Sequence, residues 1–203
     1  MKLRSSPSSP FGRKVNMITH ILGLADQVTP VLTDTMDPSD SISKVNPLGK
    51  IPALEDGDMV VYDSRVIAEY LDAAAGGGKI IPVNGPARYE ALTRAALADG
   101  MMDAAVLIIY ESRMRPDDKY VESVVIRQQQ KIIRGLEYIA TTNPVYKNGA
   151  LPDIGEIGLA CVLDYLDFRK QVNWRDHAPG LDGWLADFAA IVPGFAETAP
   201  PKS

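Results

Sequence analysis

Ser5, Ser6, Ser8 and Ser9 crowd the stretch before Pro10 in a chain with only two histidines and one cysteine, so hydroxyls come forward as its reactive groups. Proline is tolerated in the first turn of a helix, where its missing N–H would be unpaired anyway, and a helix is expected to begin at Pro10 with Ser9 at its N-terminus. A hydroxyl at that position can do two things. It can cap the helix by accepting from a first-turn N–H, or it can donate to an anion held at the positive end of the helix dipole. The second use needs no neighbouring histidine or aspartate, because such a serine stabilises an anion and does not itself attack. Both uses are open from the pattern alone.

The other reactive side chains narrow the choice. His20 and His177 stand too isolated for a metal site or a proton relay. Cys161, the single cysteine, rules out an internal disulfide and a cysteine-based zinc site, and reads as a small buried apolar residue. Asp63 and Ser64 precede a helical pattern that either could cap. Pro52 opens an apolar run as the first residue of a strand would, with nothing local to choose between a cis and a trans bond. Met101, Met102, Val106 and Tyr110 offer flexible thioethers and a ring that suit a varied apolar ligand, and the same residues suit a packed core.

The elements that must position these residues form two groups. Met1 to Ser5 reads as a strand, and Phe11, Val15, Ile18 and Leu22 share one face of the following helix, which should stop near Gly23. Val28 to Thr33 fits an edge strand that tolerates Pro30, and Asp34 to Lys44 fits a polar loop. Ile51 to Glu55 and Met59 to Tyr62 flank the turn Asp56-Gly57-Asp58 and should form a hairpin. Val66, Ile67, Tyr70, Leu71 and Ala74 then stripe a helix that closes a small α/β unit, 1–75. The run Gly76-Gly77-Gly78 through Pro86 reads as a linker, 76–86. Beyond it, 87–203 reads as all-helical, with helices near 87–114, 118–140, 153–170 and 181–191. Asp153 and Glu156 form a capping box at the third of these.

Composition limits the function classes. A chain of 203 residues with 46% hydrophobic content can bury a core, and 21 basic against 26 acidic residues give a net charge of -5 without a basic block for nucleic acid or an anionic membrane. No apolar run reaches the roughly 18 residues of a membrane span, and the first residues lack the apolar stretch of a secretion signal, so a cytoplasmic protein acting on small molecules is expected.

The motifs narrow this further. The stretches SPSSPFGRKV and NPLGKIPALEDGDMVVYDSRVIAEYLD resemble the glutathione-binding half of the cytosolic glutathione transferase superfamily, and ADGMMDAAV and CVLDYLDFR resemble the helical half of bacterial members. NPLGKIPAL followed by DS is the specific part; SPF alone is weak. The pattern is similar to bacterial proteins of the YibF kind, with a serine arrangement also seen in tau-class enzymes. The resemblance implies a thioredoxin-like N-terminal domain, a C-terminal helical bundle, glutathione as cosubstrate, no metal, a detoxification role and a homodimer.

It also assigns roles. Ser9 would donate to the glutathione sulfur, with Ser5, Ser6 and Ser8 as rivals, and Phe11 could wall the pocket although its spacing also suits the core. A free thiol with a pKa near 8.5 is only about 3% thiolate at pH 7, and lowering that pKa by about two units takes about 2.7 kcal/mol of preference for the anion. Pro52 would be cis, leaving Ile51 to pair with the peptide like an added strand. Lys50 could meet the glycyl carboxylate, and Asp63 and Ser64 the γ-glutamyl amine and carboxylate, though the family often has glutamate where this chain has Asp63. Met101, Met102, Val106, Tyr110 and Arg113 would line a pocket for a small hydrophobic electrophile, and Arg113 and Arg169 could orient an anionic one or simply pair on the surface. Arg13 and Lys14 could add positive potential near the sulfur, though helix-face charges are more commonly solvated.

The expected function is therefore conjugation of glutathione to a small apolar electrophile. Two alternatives stand beside it: a glutathione-binding interaction or regulatory protein without turnover, and a glutathione-dependent reductase or peroxidase. Reductase members usually place cysteine where this chain has Ser9.

Overall fold

The computed structural model describes residues 1–142, 144 and 150–201. Its first layer is a four-stranded sheet of β1 (Lys2–Ser5), β2 (Thr29–Leu32), β3 (Ala53–Asp56) and β4 (Met59–Val61), in the order β2-β1-β3-β4. Strand β1 runs parallel to β2 and antiparallel to β3, and β3 pairs antiparallel with β4 through the expected turn, where Gly57 takes φ 58°. Pro30 lies in β2 at the edge of the sheet, where its missing N–H removes no ladder bond. Helix α1 (Pro10–Ile21) and helix α3 (Ser64–Ala74) pack together beside the sheet, and a four-residue helix, α2 (Ile42–Val45), interrupts the segment expected to be loop. This is a thioredoxin-like domain.

A helical layer follows: α4 (Gly85–Met114), α5 (Glu122–Thr142), α6 (Ile154–Arg169) and α7 (Leu181–Ile191). The expected all-helical span 87–203 includes residues 143, 145–149, 202 and 203, which lie outside the described residues. The connection after α3 is anchored at several points. Asp72, 4% exposed, accepts from the N–H groups of Gly78, Lys79 and Ile80, and the Ile80 carbonyl accepts from Ile154 at the start of α6. Gly76, Gly77 and Gly78 all have positive φ, which only glycine adopts at low cost.

Helix α6 is the central helix of this layer and is apolar almost all round, as a helix enclosed on every side must be. Its capping box is complete: Asp153 Oδ1 accepts from Gly155 at 2.8 Å and Glu156 at 3.0 Å, and Glu156 reaches back to the Asp153 N–H at 2.9 Å. Gly155 has a packing reason. A Cβ there would stand 2.6 Å from Arg94 Cβ and 3.2 Å from the Ala91 carbonyl oxygen of α4. Helix propensity favours alanine by up to about 1 kcal/mol, whereas overpacking costs about 1–3 kcal/mol. Gly155→Ala should therefore lower stability, and a urea titration showing a higher midpoint would refute the close approach.

One apolar core runs through both layers, from Leu3, Val15 and Ile18 to Ala160, Leu163 and Trp174. Helix α1 packs against α3 in its own layer and against α6 of the helical layer, so both of its sides are covered. No helix among the described residues is long and apolar enough to cross a membrane.

Candidate functional site

The sheet register brings three separated segments to one end of the sheet. Arg4 near the end of β1 pairs with Ala53 at the start of β3, and Leu54 pairs with Val61 at the end of β4. The serine loop leaves β1 there, Lys50, Ile51 and Pro52 enter β3 there, and Asp63 and Ser64 follow β4 there. Helices α1 and α3 both begin at this end, so their unpaired N–H groups and positive dipole ends favour an anionic ligand.

Each segment has a defined local geometry. Ser9 is the N-cap of α1 and its hydroxyl accepts from the Gly12 N–H at 3.1 Å, which leaves its own proton free to donate. Ser5 is buried with an unpartnered hydroxyl tucked against Gly12 of α1, and the Ser6 and Ser8 hydroxyls lie 3.3 Å apart. The Ile51–Pro52 peptide is cis, and so is Tyr62–Asp63. Among the described residues the N–H and C=O of Ile51 have no hydrogen-bond partner, so both are available to an extended peptide. Asp63 is exposed and caps α3 by accepting from the Arg65 N–H at 3.0 Å, while Ser64 is buried. Lys50 is exposed, with its carbonyl held by the Asn46 side chain at 2.8 Å. Phe11 is partly buried, packs against the core and lies 5.9 Å from the Lys14 ammonium.

The structure corrects the solvated reading of two basic residues. Arg13 is 5% exposed and Lys14 is 1% exposed. Arg13 pairs with Asp164 of α6 and donates to the Phe195 carbonyl at 2.9 Å, while its guanidinium lies over the Phe195 ring. Lys14 donates to Asp99 Oδ1 at 2.6 Å, and Arg65 donates to Asp99 Oδ2 at 2.9 Å. Asp99 of α4 thereby ties α1, which carries Ser9, to α3, which begins at Ser64. Both cations are therefore paired within the fold and neither is a free charge.

Asp103 was not picked out from the sequence. Burial pushes its carboxyl upward, Arg65 opposes that shift, and Lys50 and Asp63 also lie within electrostatic range, so α4 borders the same end of the sheet. The available signal was its spacing of four from Asp99 along one helix face.

The residues assigned to the second-substrate pocket divide. Met101 and Met102 are 2% and 0% exposed and belong to the core, with Met101 filling the space opposite Gly135 of α5, so they do not face an open cleft. Val106 is half-buried, and Tyr110 and Arg113 are exposed one and two turns further along α4. Across from them, Tyr165 of α6 shares a small cavity with Pro7, Ser8, Ser9, Arg13 and Cys161. Burial pushes the Tyr165 phenol upward, against the opposing pull of the Arg169 guanidinium, which lies 5.6 Å from its ring; Tyr110 and Arg113 lie within electrostatic range of the same phenol. Burial likewise pushes the Cys161 thiol up to about 11. It is a protonated thiol at neutral pH and no nucleophile.

The chain is similar to known proteins over its whole length. The model of the glutathione S-transferase N-terminal domain matches residues 8–74. An uncharacterized GST-like protein, YibF, of Escherichia coli K12 is 31% identical over the full length of both chains. A glutathione transferase family member from Pseudomonas fluorescens Pf-5, solved with bound glutathione, superposes with a TM-score of 0.86 at 38% identity over 99% of each chain. A glutathione S-transferase from Methylobacillus flagellatus, also with glutathione bound, gives a TM-score of 0.89 at 34% identity over 98% of this chain and 99% of its own.

Proposed function

Because this chain belongs to the glutathione S-transferase family, we propose that it binds glutathione at the sheet end defined by Ser9, Pro52 and Ser64, and activates the thiol for attack on a small electrophile with an apolar body. The observation that carries the proposal is the convergence of the free Ile51 backbone groups with the N-termini of α1 and α3. Ile51 would pair with the cysteinyl part, which directs the sulfur toward Ser9. Ser64 and the first N–H groups of α3 would receive the γ-glutamyl carboxylate, Asp63 and Asp103 its amine, and Lys50 the glycyl carboxylate.

Ser9 supports the chemistry by hydrogen bonding. Its hydroxyl accepts from Gly12 and so points its proton away from the helix, toward the position an anionic sulfur would occupy. A donated hydrogen bond and the α1 dipole favour the thiolate over the thiol, and the proton released leaves to solvent. Phe11 would contribute to the wall, and Val106, Tyr110 and Arg113 to the second-substrate side. With Cys161 buried and protonated, a cysteine-based disulfide exchange has no nucleophile here, which favours transfer over reduction.

A homodimer belongs to the same proposal, with the exposed apolar side chains of Met59, Val60, Tyr62 and Val66 on and beside β4 and α3 available for its interface. So does the cytoplasmic location. The test is calorimetric titration with reduced glutathione while the ultraviolet absorbance of the thiolate is followed. Micromolar to millimolar binding with a thiolate signal at pH 7 is the expected result; no binding would remove the transferase reading and leave an interaction role.

A further inference from the structure

Arg113 and Arg169, near the C-terminal ends of α4 and α6, both lie within electrostatic range of the Tyr165 phenol. Among the described residues neither Arg113 nor Arg169 makes an ion pair. The acidic residues on these helix ends are engaged elsewhere: Glu111 with Arg115 and the Val121 N–H, Asp164 with Arg13, and Asp167 with Arg175 and the Trp174 indole. Arg169 is partly buried, stacked 4.2 Å from the Phe168 ring, and its Nε is buried with no hydrogen-bond partner. An unsatisfied guanidinium N–H in such a place is costly, and an arginine held by an aromatic face keeps its fork oriented for a planar anion.

These cations connect to the reaction centre through Tyr165. The Arg169 guanidinium lies 5.6 Å from the Tyr165 ring, Arg113 is within electrostatic range of the phenol, and Tyr165 lines the cavity shared with Ser8 and Ser9. We propose that Arg113 and Arg169 bind an anionic group, most simply a carboxylate, on the second substrate, whose apolar body lies against Tyr110 and Tyr165 with its electrophilic carbon toward Ser9. This rests on the glutathione transferase reading above and names the substrate class that reading leaves open. The class is an electrophile that bears a carboxylate away from its reacting carbon, and an electron-poor alkene serves as the test case. The thiolate sulfur forms a bond to the terminal alkene carbon, the π pair moves into the conjugated carbonyl as an enolate, and the enolate carbon takes a proton from water. Nothing is oxidised and no further reactant is needed.

The probes are the glutathione conjugates of ethacrynic acid and of its methyl ester, which share one acceptor and differ in the charge. Calorimetry on the full chain should show the acid conjugate bound about tenfold more tightly than the ester, the size of one charge-assisted hydrogen bond. Arg169→Gln and Arg113→Gln should each remove much of that ratio, the double variant should abolish it, and Arg169→Lys, which keeps the charge without the stacked fork, should keep only part of it. Glutathione affinity should stay unchanged throughout, which separates loss of the anion subsite from loss of the fold. Arg113 is exposed, so Arg113→Gln alone carries the test if the partly buried position tolerates no change. Equal binding of the two conjugates by a parent that binds glutathione would overturn the anion subsite alone, as would a ratio that survives the double variant. A parent that binds no glutathione would overturn both readings.

Discussion

Replacing Ser9 by glycine should lower kcat/KM for a conjugation reaction at pH 7 about tenfold and leave the protein nearly as stable as the parent. Both parts follow from the double use of one hydroxyl. As N-cap it accepts from Gly12 at 3.1 Å, and glycine at an N-cap costs only a few tenths of a kcal/mol, so the helix start survives. As donor it has no substitute in glycine. If the hydroxyl and the helix dipole together lower the bound thiol by about two units, from about 8.5 to about 6.5, losing all of that would cut the thiolate at pH 7 from about 76% to about 3%, and glycine, which keeps the dipole, should lose part of that factor, about tenfold. The sign on the pH axis is definite. Losing a donor to the anion raises the thiol pKa, so the acid limb of the rate profile and the thiolate absorbance should both move to higher pH by up to about two units. Ser9→Ala would confound the measurement by costing about 1 kcal/mol of cap, whereas Ser9→Thr keeps both functions and should retain most of the activity. An unchanged thiolate titration in Ser9→Gly would assign the role elsewhere in the loop, with Ser8, which lines the same cavity, next in line.

The parts of this molecule legible in its sequence are those set by local rules. The stripe Phe11, Val15, Ile18 and Leu22 has the helical period, Asp56-Gly57-Asp58 needs the positive φ that Gly57 adopts, and Asp153 with Glu156 is a reciprocal cap that depends on three residues' spacing. What was hidden depends on partners far along the chain. Arg13 and Lys14 look like a solvated helix face, and what buries them is α6 and α4, whose Asp164 and Asp99 are 151 and 85 residues away. A single acid within an otherwise apolar helical run, as in LADGMM and CVLDYL, is the trace such a pairing leaves. Helix α2 spans four residues, which is too short for any periodicity to register. Met101 and Met102 fit a pocket wall and a core equally well by type; the approach of α5 at Gly135 decides for the core.

The buried pair sets the largest expected stability effect. Asp99→Ala should destabilise the fold by about 3–5 kcal/mol, because it leaves the Lys14 ammonium enclosed with no counter-charge. Against a total stability of about 5–15 kcal/mol, that is enough to leave some variants partly unfolded at ambient temperature. The pair itself is a different matter. Desolvating two ions offsets much of their attraction, so the double variant Lys14→Met with Asp99→Leu should recover most of the loss, and urea midpoints of the three proteins form the test. Arg65 separates the structural from the functional share. Its side chain is 55% exposed and can turn into solvent, so Arg65→Ala should cost under about 1 kcal/mol of stability. It should nonetheless weaken glutathione binding, because its bond to Asp99 is what fixes the start of α3, where Ser64 lies, against α4. A single Asp99→Ala variant within about 1 kcal/mol of the parent would mean that water reaches the ammonium. In that case α1 and α3 are held in register by apolar packing alone, and the doubly apolar variant should bind glutathione as well as the parent does.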